Sequence, residues 1–341
     1  MTTVVLAGAT GFVGSAVLRA LGTPRGLGRA PVRVRAVCRA EPAGSRRVPG
    51  VEYVRADLAA PATLRGLCRG ADVLVNAASY VGGDAARCVA VNERGTGALV
   101  AEARAAGVRR IVQVSTTAVY GPGPHHGPDV GELTPAPVSA ASRARLAAER
   151  PVRDAAGLVL RAPLVLGAGD RWVVPALAEL VRRVPGRWDG GRGLLSLVAV
   201  DDLGRLVAAA ATADAVPAGV YHAAHPEPVR CGDLLAALVE RRILPPPGGA
   251  DGAEHLPWDA CLRRLRASRG RVSERQFALL ARDHHYRSDA VWETLGCPPG
   301  PGPLARLDNA APWYRAAWPG YDPRVSPRCP GERRSASRPA A

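Results

Sequence analysis

Short apolar runs alternate with longer amphipathic stretches through the first half of the chain. The runs predict strands at 3–7, 32–37, 51–55, 72–76, 110–114 and 157–161. Between them, apolar residues at helical spacing predict helices over 13–21, 62–68 and 84–106. This alternation is the sequence form of βαβ units, and it predicts an α/β fold with a doubly wound parallel sheet. The run Arg110-Ile111-Val112-Gln113-Val114 is short and β-branched, as strands covered on both faces tend to be. After Arg161 the texture changes to short elements among Pro and Gly: 172–184, 194–200, 202–211, 219–223 and 231–241. We read residues 1–165 as one domain, with parts of 194–224 returning to its sheet, and 166–320 mainly as a smaller α/β substrate lobe. Residues 244–258 are rich in Pro and Gly and 259–290 have helical periodicity with many charges, so 244–290 reads as a lid or as a plain surface helix pair. From 321 to 341 Pro, Ser and Arg dominate, which predicts a disordered tail.

The turn after the first strand is Gly8-Ala9-Thr10-Gly11-Phe12-Val13-Gly14. Three glycines between a strand and a helix permit a tight turn and let backbone N–H groups approach a pyrophosphate at the positive end of the helix. The predicted sheet is therefore of Rossmann type and its ligand a dinucleotide. The second strand ends at Val37-Cys38-Arg39, where an NAD-selective protein would carry an acid for the ribose hydroxyls; the basic Arg39 favours the 2′-phosphate of NADP(H) over NAD(H). Asp57 and Leu58 fall at the adenine edge, and Asn76, Ala77 and Ala78 are small enough to let a cofactor lie close to the sheet.

Composition narrows the partners. All 45 basic residues are Arg, the net charge is +15, and the excess is spread along 341 residues without a basic run beyond three, which argues against nucleic acid. The seven cysteines are scattered, with no Cys/His cluster at metal spacing, so we expect free thiols in a reducing cytoplasm and no metal. The N-terminus runs straight into a strand and no apolar run reaches the length of a membrane span, so the expected protein is soluble and cytoplasmic, with a small molecule as its partner.

Further motifs resemble the extended short-chain dehydrogenase/reductases over most of the chain. Asn92 with Gly95-Thr96 is similar to the family's helix asparagine segment, and Ser115-Thr116-Thr117-Ala118-Val119-Tyr120-Gly121 to its serine-strand motif. Leu160-Arg161-Ala162-Pro163 with Gly167 and Gly169-Asp170, then Val200-Asp201-Asp202-Leu203 and Gly219-Val220-Tyr221-His222, resemble later landmarks. The resemblance implies a nicotinamide cofactor held by Gly8, Thr10, Gly11, Phe12, Val13, Gly14, Asn92 and Pro163 among others. It puts the catalytic hydroxyl at Thr116, with Ser115 beside it to orient a carbonyl.

The family pattern next requires Pro-x-Ser-x-Tyr-x-x-x-Lys-x-x-x-Glu. The chain has the frame from Pro137 to Glu149 at the same length, but Ala141 at the tyrosine position and Arg145 at the lysine position. No realignment restores the motif, because there is no Lys anywhere. In ordinary members that tyrosine is the acid/base of carbonyl reduction; Arg145 could keep a ribose contact, though its planar fork is a poor substitute for an ammonium. Three readings stay open. Catalysis has been lost and the chain is an NADP-binding sensor. Another group supplies the proton: Thr116, Ser115, Tyr120, or a histidine from His125-His126 or His284-His285. Or the substrate supplies it, through a phenolic hydroxyl beside the reacting carbonyl. Epimerase or dehydratase chemistry on a nucleotide sugar depends on the tyrosine and is disfavoured. A fold of this kind without the Tyr/Lys pair resembles the atypical, angucyclinone-type ketoreductases of aromatic polyketide biosynthesis. That implies an aromatic ketone as substrate, with Tyr80, Tyr120, Trp172 and Trp188 as pocket candidates.

Overall fold

The computed structural model describes residues 1–22, 32–44, 47–247 and 254–317. Strands β1 (Thr2–Ala7), β2 (Val32–Cys38), β3 (Glu52–Arg55), β4 (Val73–Asn76) and β5 (Arg110–Thr116) are followed by the two-residue β6 (His125–His126) and by β7 (Leu158–Ala162). Then come β8 (Leu164–Leu166), β9 (Arg187–Trp188), β10 (Leu194–Leu195), β11 (Leu197–Ala199), β12 (Gly219–His222), β13 (Val229–Arg230), β14 (His255–Leu256) and β15 (His284–His285). Seven of these form one parallel sheet in the order β12-β7-β5-β4-β1-β2-β3. The order reverses between β1 and β4, and ligands of open α/β sheets bind outside the carboxyl ends of the strands at such a point.

Alternation along each strand sends neighbouring side chains to opposite faces. Val4, Leu6, Val34 and Ala36 meet α1 (Phe12–Gly22), with Val112 and Val114 on the same face, while Val5, Ala7, Val37, Leu74 and Ile111 lie on the other face. There they pack against Leu99, Val100 and Ala103 of a helical run built from α2 (Ala85–Cys88), a π-helical segment (Val89–Gly95) and α3 (Thr96–Ala105), with Val152 of α4 (Ala140–Asp154). Fully burying each such side chain contributes roughly 1.5–3 kcal/mol.

A second core joins α5 (Val173–Arg183) to α7 (Cys231–Glu240), α8 (Trp258–Ala267), α9 (Glu274–Ala281) and α11 (Pro303–Ala317), whereas α6 (Val200–Thr212) returns to the main sheet beside α1. The crossing of α1 and α6 is close: a Cβ on Gly204 would come within 2.9 Å of Ala16 atoms. The short α10 (Asp289–Thr294) packs beside β12 through Val291 and Trp292. A small four-stranded sheet, β13-β10-β15-β6, ties the loop after β5 to this second group of elements.

The predicted strands and helices of the first half appear within two residues of their expected ends, except that 62–68 is a single 3-10 turn at Pro61–Leu64 followed by turns. Residues 259–290 hold α8, α9 and β15, their inner faces buried in the second core. The expected tail at 321–341 and part of the Pro- and Gly-rich stretch lie outside the described residues. No described helix is long and apolar enough to cross a membrane, and no described group of His, Cys, Asp or Glu could hold a metal ion. All six described cysteines are free and buried.

Candidate active site

The glycine turn is dictated by what presses on it. Gly8 has φ +79°, and a Cβ there would lie 2.7 Å from the backbone of Ala78; at Gly14 it would lie 2.0 Å from the Gly8 carbonyl oxygen. Gly8 N–H donates to the Val37 carbonyl and Gly11 N–H to that of Gly8, which fixes the turn between β1 and β2. Thr10 and Gly11 are exposed at its tip, and Phe12 and Val13 are half-buried. Phe12 packs where a Cβ on Gly169 would touch its ring at 3.0 Å, so the start of α1 is held from the far side of the cleft. The first turn of α1 leaves N–H groups without intrahelical partners, aimed where a pyrophosphate would sit.

Around this turn the expected cofactor residues take distinct places. Arg39 is exposed just beyond β2 and its guanidinium has no partner among the described residues. Asp57 is half-buried and accepts the N–H of Ala59, so it shapes the loop after β3; Leu58 is buried beneath Gly95, whose Cβ would come 2.5 Å from the Leu58 carbonyl oxygen. Asn76 turns inward to Thr96 and Gln113 and accepts the N–H of Ala78, pinning Ala77-Ala78 against Gly8. Asn92, expected against the cofactor, is instead 2% exposed in the π-helical segment. Its amide pairs with both the N–H and the carbonyl of Tyr80 at 2.7 Å, so it holds the loop that follows β4. Tyr80 is half-buried beneath the Arg87 guanidinium.

The frame that lacks its tyrosine still builds its helix. Ser139 caps α4, accepting the N–H of Ser142 while Ser142 Oγ accepts that of Ser139. One turn on from the half-buried Ala141, Arg145 donates to the Val114 carbonyl at 3.3 Å, and its Nε is buried with no partner. Burial pulls its pKa down to about 10 against the attraction of Glu149, so the guanidinium is charged and under-satisfied at neutral pH. An orphaned donor at the position where the family holds a ribose fits a bound nicotinamide cofactor. Pro163 bridges β7 and β8, half-buried.

At the end of β5 the two hydroxyls part company. Thr116 is half-buried and accepts the Ala118 N–H, which leaves its proton available to a ligand. Ser115 is not at the cleft: it is 1% exposed and donates its proton to Glu149 at 2.5 Å. Strand alternation explains the difference, since adjacent residues face opposite ways.

Behind Ser115 runs a buried polar network that the sequence did not announce. Arg161 meets both oxygens of Glu149, at 2.7 and 3.1 Å, and also donates to the Tyr120 hydroxyl at 2.8 Å. Tyr120 in turn reaches His222 Nε2 at 2.7 Å, and His222 Nδ1 lies 2.9 Å from the Arg287 carbonyl. A carbonyl only accepts, so Nδ1 carries the proton and Nε2 accepts from Tyr120. Burial pushes the Tyr120 phenol up and the His222 imidazole down to about 4. Tyr120 is therefore a wall of this network rather than of a pocket. Trp188 is likewise core, not pocket: it lies edge-on to Phe277 with its indole N–H on the Val184 carbonyl. Trp172 is exposed, and Asp170 beside it accepts three N–H groups at the start of α5 and the Tyr314 hydroxyl.

The two histidine pairs, far apart in sequence, are brought together. His125 aligns with His284 and His126 with His285 across β6 and β15, and the buried ring of Tyr286 follows directly. Neither two-residue strand has a periodic signal of its own, and His284-His285 stands as a strand within the stretch 259–290 expected to be helical.

Comparisons with known proteins agree with this architecture. Residues 4–224 match the family described as NAD dependent epimerase/dehydratase. A ketoreductase of Stigmatella aurantiaca, named for 4-hydroxy-2-methyl-3-oxo-4-farnesyl-3,4-dihydroquinoline-1-oxide, is 31% identical over 312 residues, covering 85% of this chain and 90% of the relative. Among solved structures, Bordetella bronchiseptica WbmH in complex with NAD+ superposes with a TM-score of 0.70 at 20% identity, over 93% of this chain and 99% of that one. The dTDP-glucose 4,6-dehydratase DesIV of Streptomyces venezuelae, with NAD bound, gives 0.69 at 19% identity, over 92% and 97%. A glycine turn between strand and helix, a buried Arg145 Nε without a partner and these relatives agree: the chain is an NAD(P)-dependent oxidoreductase that belongs to the NAD dependent epimerase/dehydratase family.

Proposed function

We propose that the protein is an NADPH-dependent ketoreductase acting on a bulky aromatic ketone, angucyclinone-like in its fused rings, with a hydroxyl next to the reacting carbonyl. The observation that carries this reading is Ala141 at the proton-donor position of an otherwise preserved frame. A bound nicotinamide cofactor supplies the hydride. The glycine turn holds its pyrophosphate, Arg39 its 2′-phosphate and Arg145 its ribose, while Thr116 donates a hydrogen bond that orients the carbonyl. The proton for the nascent alkoxide comes from the neighbouring hydroxyl; a phenol has a pKa of about 10, like the absent tyrosine. The protein's share is proximity, orientation and exclusion of water. The ketone for which the Stigmatella relative is named carries its 4-hydroxy group on the carbon that also bears the farnesyl chain, a tertiary alcohol rather than a phenol, but its 3-oxo group on a fused ring system supports a fused-ring ketone as the substrate class. So does the resemblance to the angucyclinone ketoreductase of the simocyclinone pathway, which rests on the missing Tyr/Lys pair.

A panel of polycyclic hydroxyketones, hydroxyquinones included, tests the reading. NADPH oxidation should be fast with members carrying the neighbouring hydroxyl and at least about tenfold slower with those lacking it. Background oxidation with the whole panel, while NADP still binds, would instead make the chain an NADP-binding sensor. For cofactor choice, Arg39→Ala should weaken NADPH by about tenfold or more, the range of a lost charged hydrogen bond, and leave NADH almost unchanged. Equal losses for the two cofactors, measured by fluorescence titration, would rule out the phosphate role.

A further inference from the structure

We propose that Arg145 is a catalytic residue toward the substrate as well as a contact to the cofactor: its guanidinium faces the hydroxyl beside the reacting carbonyl, makes that hydroxyl more acidic and holds the oxyanion left when it gives up its proton. The proposal rests on the ketoreductase reading. Arg145 stands where β5 outruns β4. The last pair of that ladder is Asn76 with Gln113, so Val114 is the first residue of β5 without a β4 partner. Its carbonyl receives Gln113 Nε2 at 3.2 Å and Arg145 Nη2 at 3.3 Å. Two residues on is Thr116, and Ala77-Ala78, which continue from β4, press on Gly8. The guanidinium is therefore seated between the carboxyl ends of β4 and β5, next to the segment that shapes the glycine turn, on the side of the sheet where ligands bind.

The charge of Arg145 is not spoken for. Of its five donors the Val114 carbonyl takes one, and among the described residues it has no other hydrogen-bond partner and no ion pair. Glu149, one turn further along α4, is the charge that acts on it, but both Glu149 oxygens are engaged by Arg161 of β7 and one also by Ser115, with the Tyr120 phenol behind them. A desolvated cation whose counter-charge is already bound to another cation is completed by an anion. Ribose hydroxyls are neutral, so they take the spare N–H groups and leave the charge. Side chains of a helix lean toward its N-terminus, so Arg145 extends over the turn that carries Ala141, whose side chain ends at Cβ and leaves room there for a ring of the substrate.

The transfer balances. The carbonyl carbon takes a hydride from the reduced nicotinamide, the C=O double bond becomes an alkoxide, and the neighbouring O–H breaks as the alcohol O–H forms. The ring oxygen remains as the anion, paired with Arg145, and recovers a proton from solvent when the product leaves. Overall the ketone gains one hydride and one solvent proton, with NADPH oxidised to NADP+. An opposite charge within hydrogen-bonding reach makes an acid about ten- to a thousandfold stronger, which is the help a phenol needs at neutral pH.

The test reads the ionisation of the bound hydroxyl directly. The fastest hydroxyketone of the panel, held with NADP+ and the full chain in a complex that cannot react, is titrated by its absorbance against pH. Its acid dissociation constant should rise at least about tenfold on binding wild type. The rise should be lost in Arg145→Gln, which keeps a hydrogen-bond donor without the charge, and largely kept in Arg145→Lys. In turnover at saturating NADPH, Arg145→Gln should lose kcat by about a hundredfold and Arg145→Lys by about tenfold or less. A hydroxyketone that ionises on wild type as it does in buffer overturns the role, whatever the variants do. So does a loss in Arg145→Gln confined to NADPH affinity, with kcat within about twofold of wild type, which leaves Arg145 a ribose contact and the reductase reading intact. Turnover of no panel member by wild type overturns the reductase reading and this role with it.

Discussion

Glu149→Ala should cost the fold about 3–5 kcal/mol, the range for breaking a buried ion pair from one side. Glu149 is 1% exposed and Arg161 5%, and the carboxylate is the partner of two guanidinium contacts and of the Ser115 hydroxyl. Its removal leaves a permanent charge in the interior with only the Tyr120 oxygen to receive it. The loss is a large share of the 5–15 kcal/mol that holds an ordinary domain together. Urea unfolding at pH 7 measures it as a shift in midpoint at constant slope. A loss under about 1 kcal/mol would mean that water reaches the pair. Arg161→Met with Glu149→Leu should recover most of the stability, because exchanging both partners for apolar groups leaves nothing charged behind.

Mild acid should destabilise the protein well before its carboxylates protonate. His222 and His284 are buried and their pKa values are pushed down to about 4, chiefly by desolvation. Each is committed as an acceptor, His222 Nε2 to Tyr120 and His284 Nε2 to the Gly123 N–H, and protonation removes that acceptor. In the unfolded chain both titrate near 6.5. Between about pH 6.5 and 4 the unfolded state binds more protons than the folded one, so stability is full above that window and falls as pH falls through it. By pH 4.5 each imidazole should account for a loss of roughly 2–3 kcal/mol. Unfolding midpoints at pH 7.5 and 4.5 in matched salt measure the sum, and His222→Gln should remove its share of the difference. Identical midpoints at the two pH values would mean that these rings titrate as if in water.

What was legible in the chain was whatever local chemistry decides. The parallel strands showed as β-branched apolar runs, and the turn from Gly8 to Gly14 showed because only glycines fit where Gly8 meets Ala78 and Gly14 meets Gly8. The altered proton chemistry also showed, as Ala141 and Arg145 in an intact frame. Ser115 was misplaced although strand alternation beside Thr116 could have turned it inward. Tyr120 and Trp188 were illegible for a different reason: an aromatic ring suits a core and a pocket equally, and only the partners of its polar atom decide between them. The meeting of His125, His284 and Tyr286 depends on β6 and β15 finding each other across more than half the lobe's elements, a contact with no period to announce it.

The position of β12 bears on synthesis. It is the outermost strand of the main sheet, yet its neighbour β7 is complete long before Gly219 emerges, because β8, α5, β9, β10, β11 and α6 are made between them. Until then the nascent chain presents β7 as an open edge of unpaired backbone groups, flanked by an apolar face still lacking α6. A ribosome pause within that interval would leave an adhesive strand waiting for its partner, so slower translation of residues 163–218 lengthens the time for which this edge stays open to other chains.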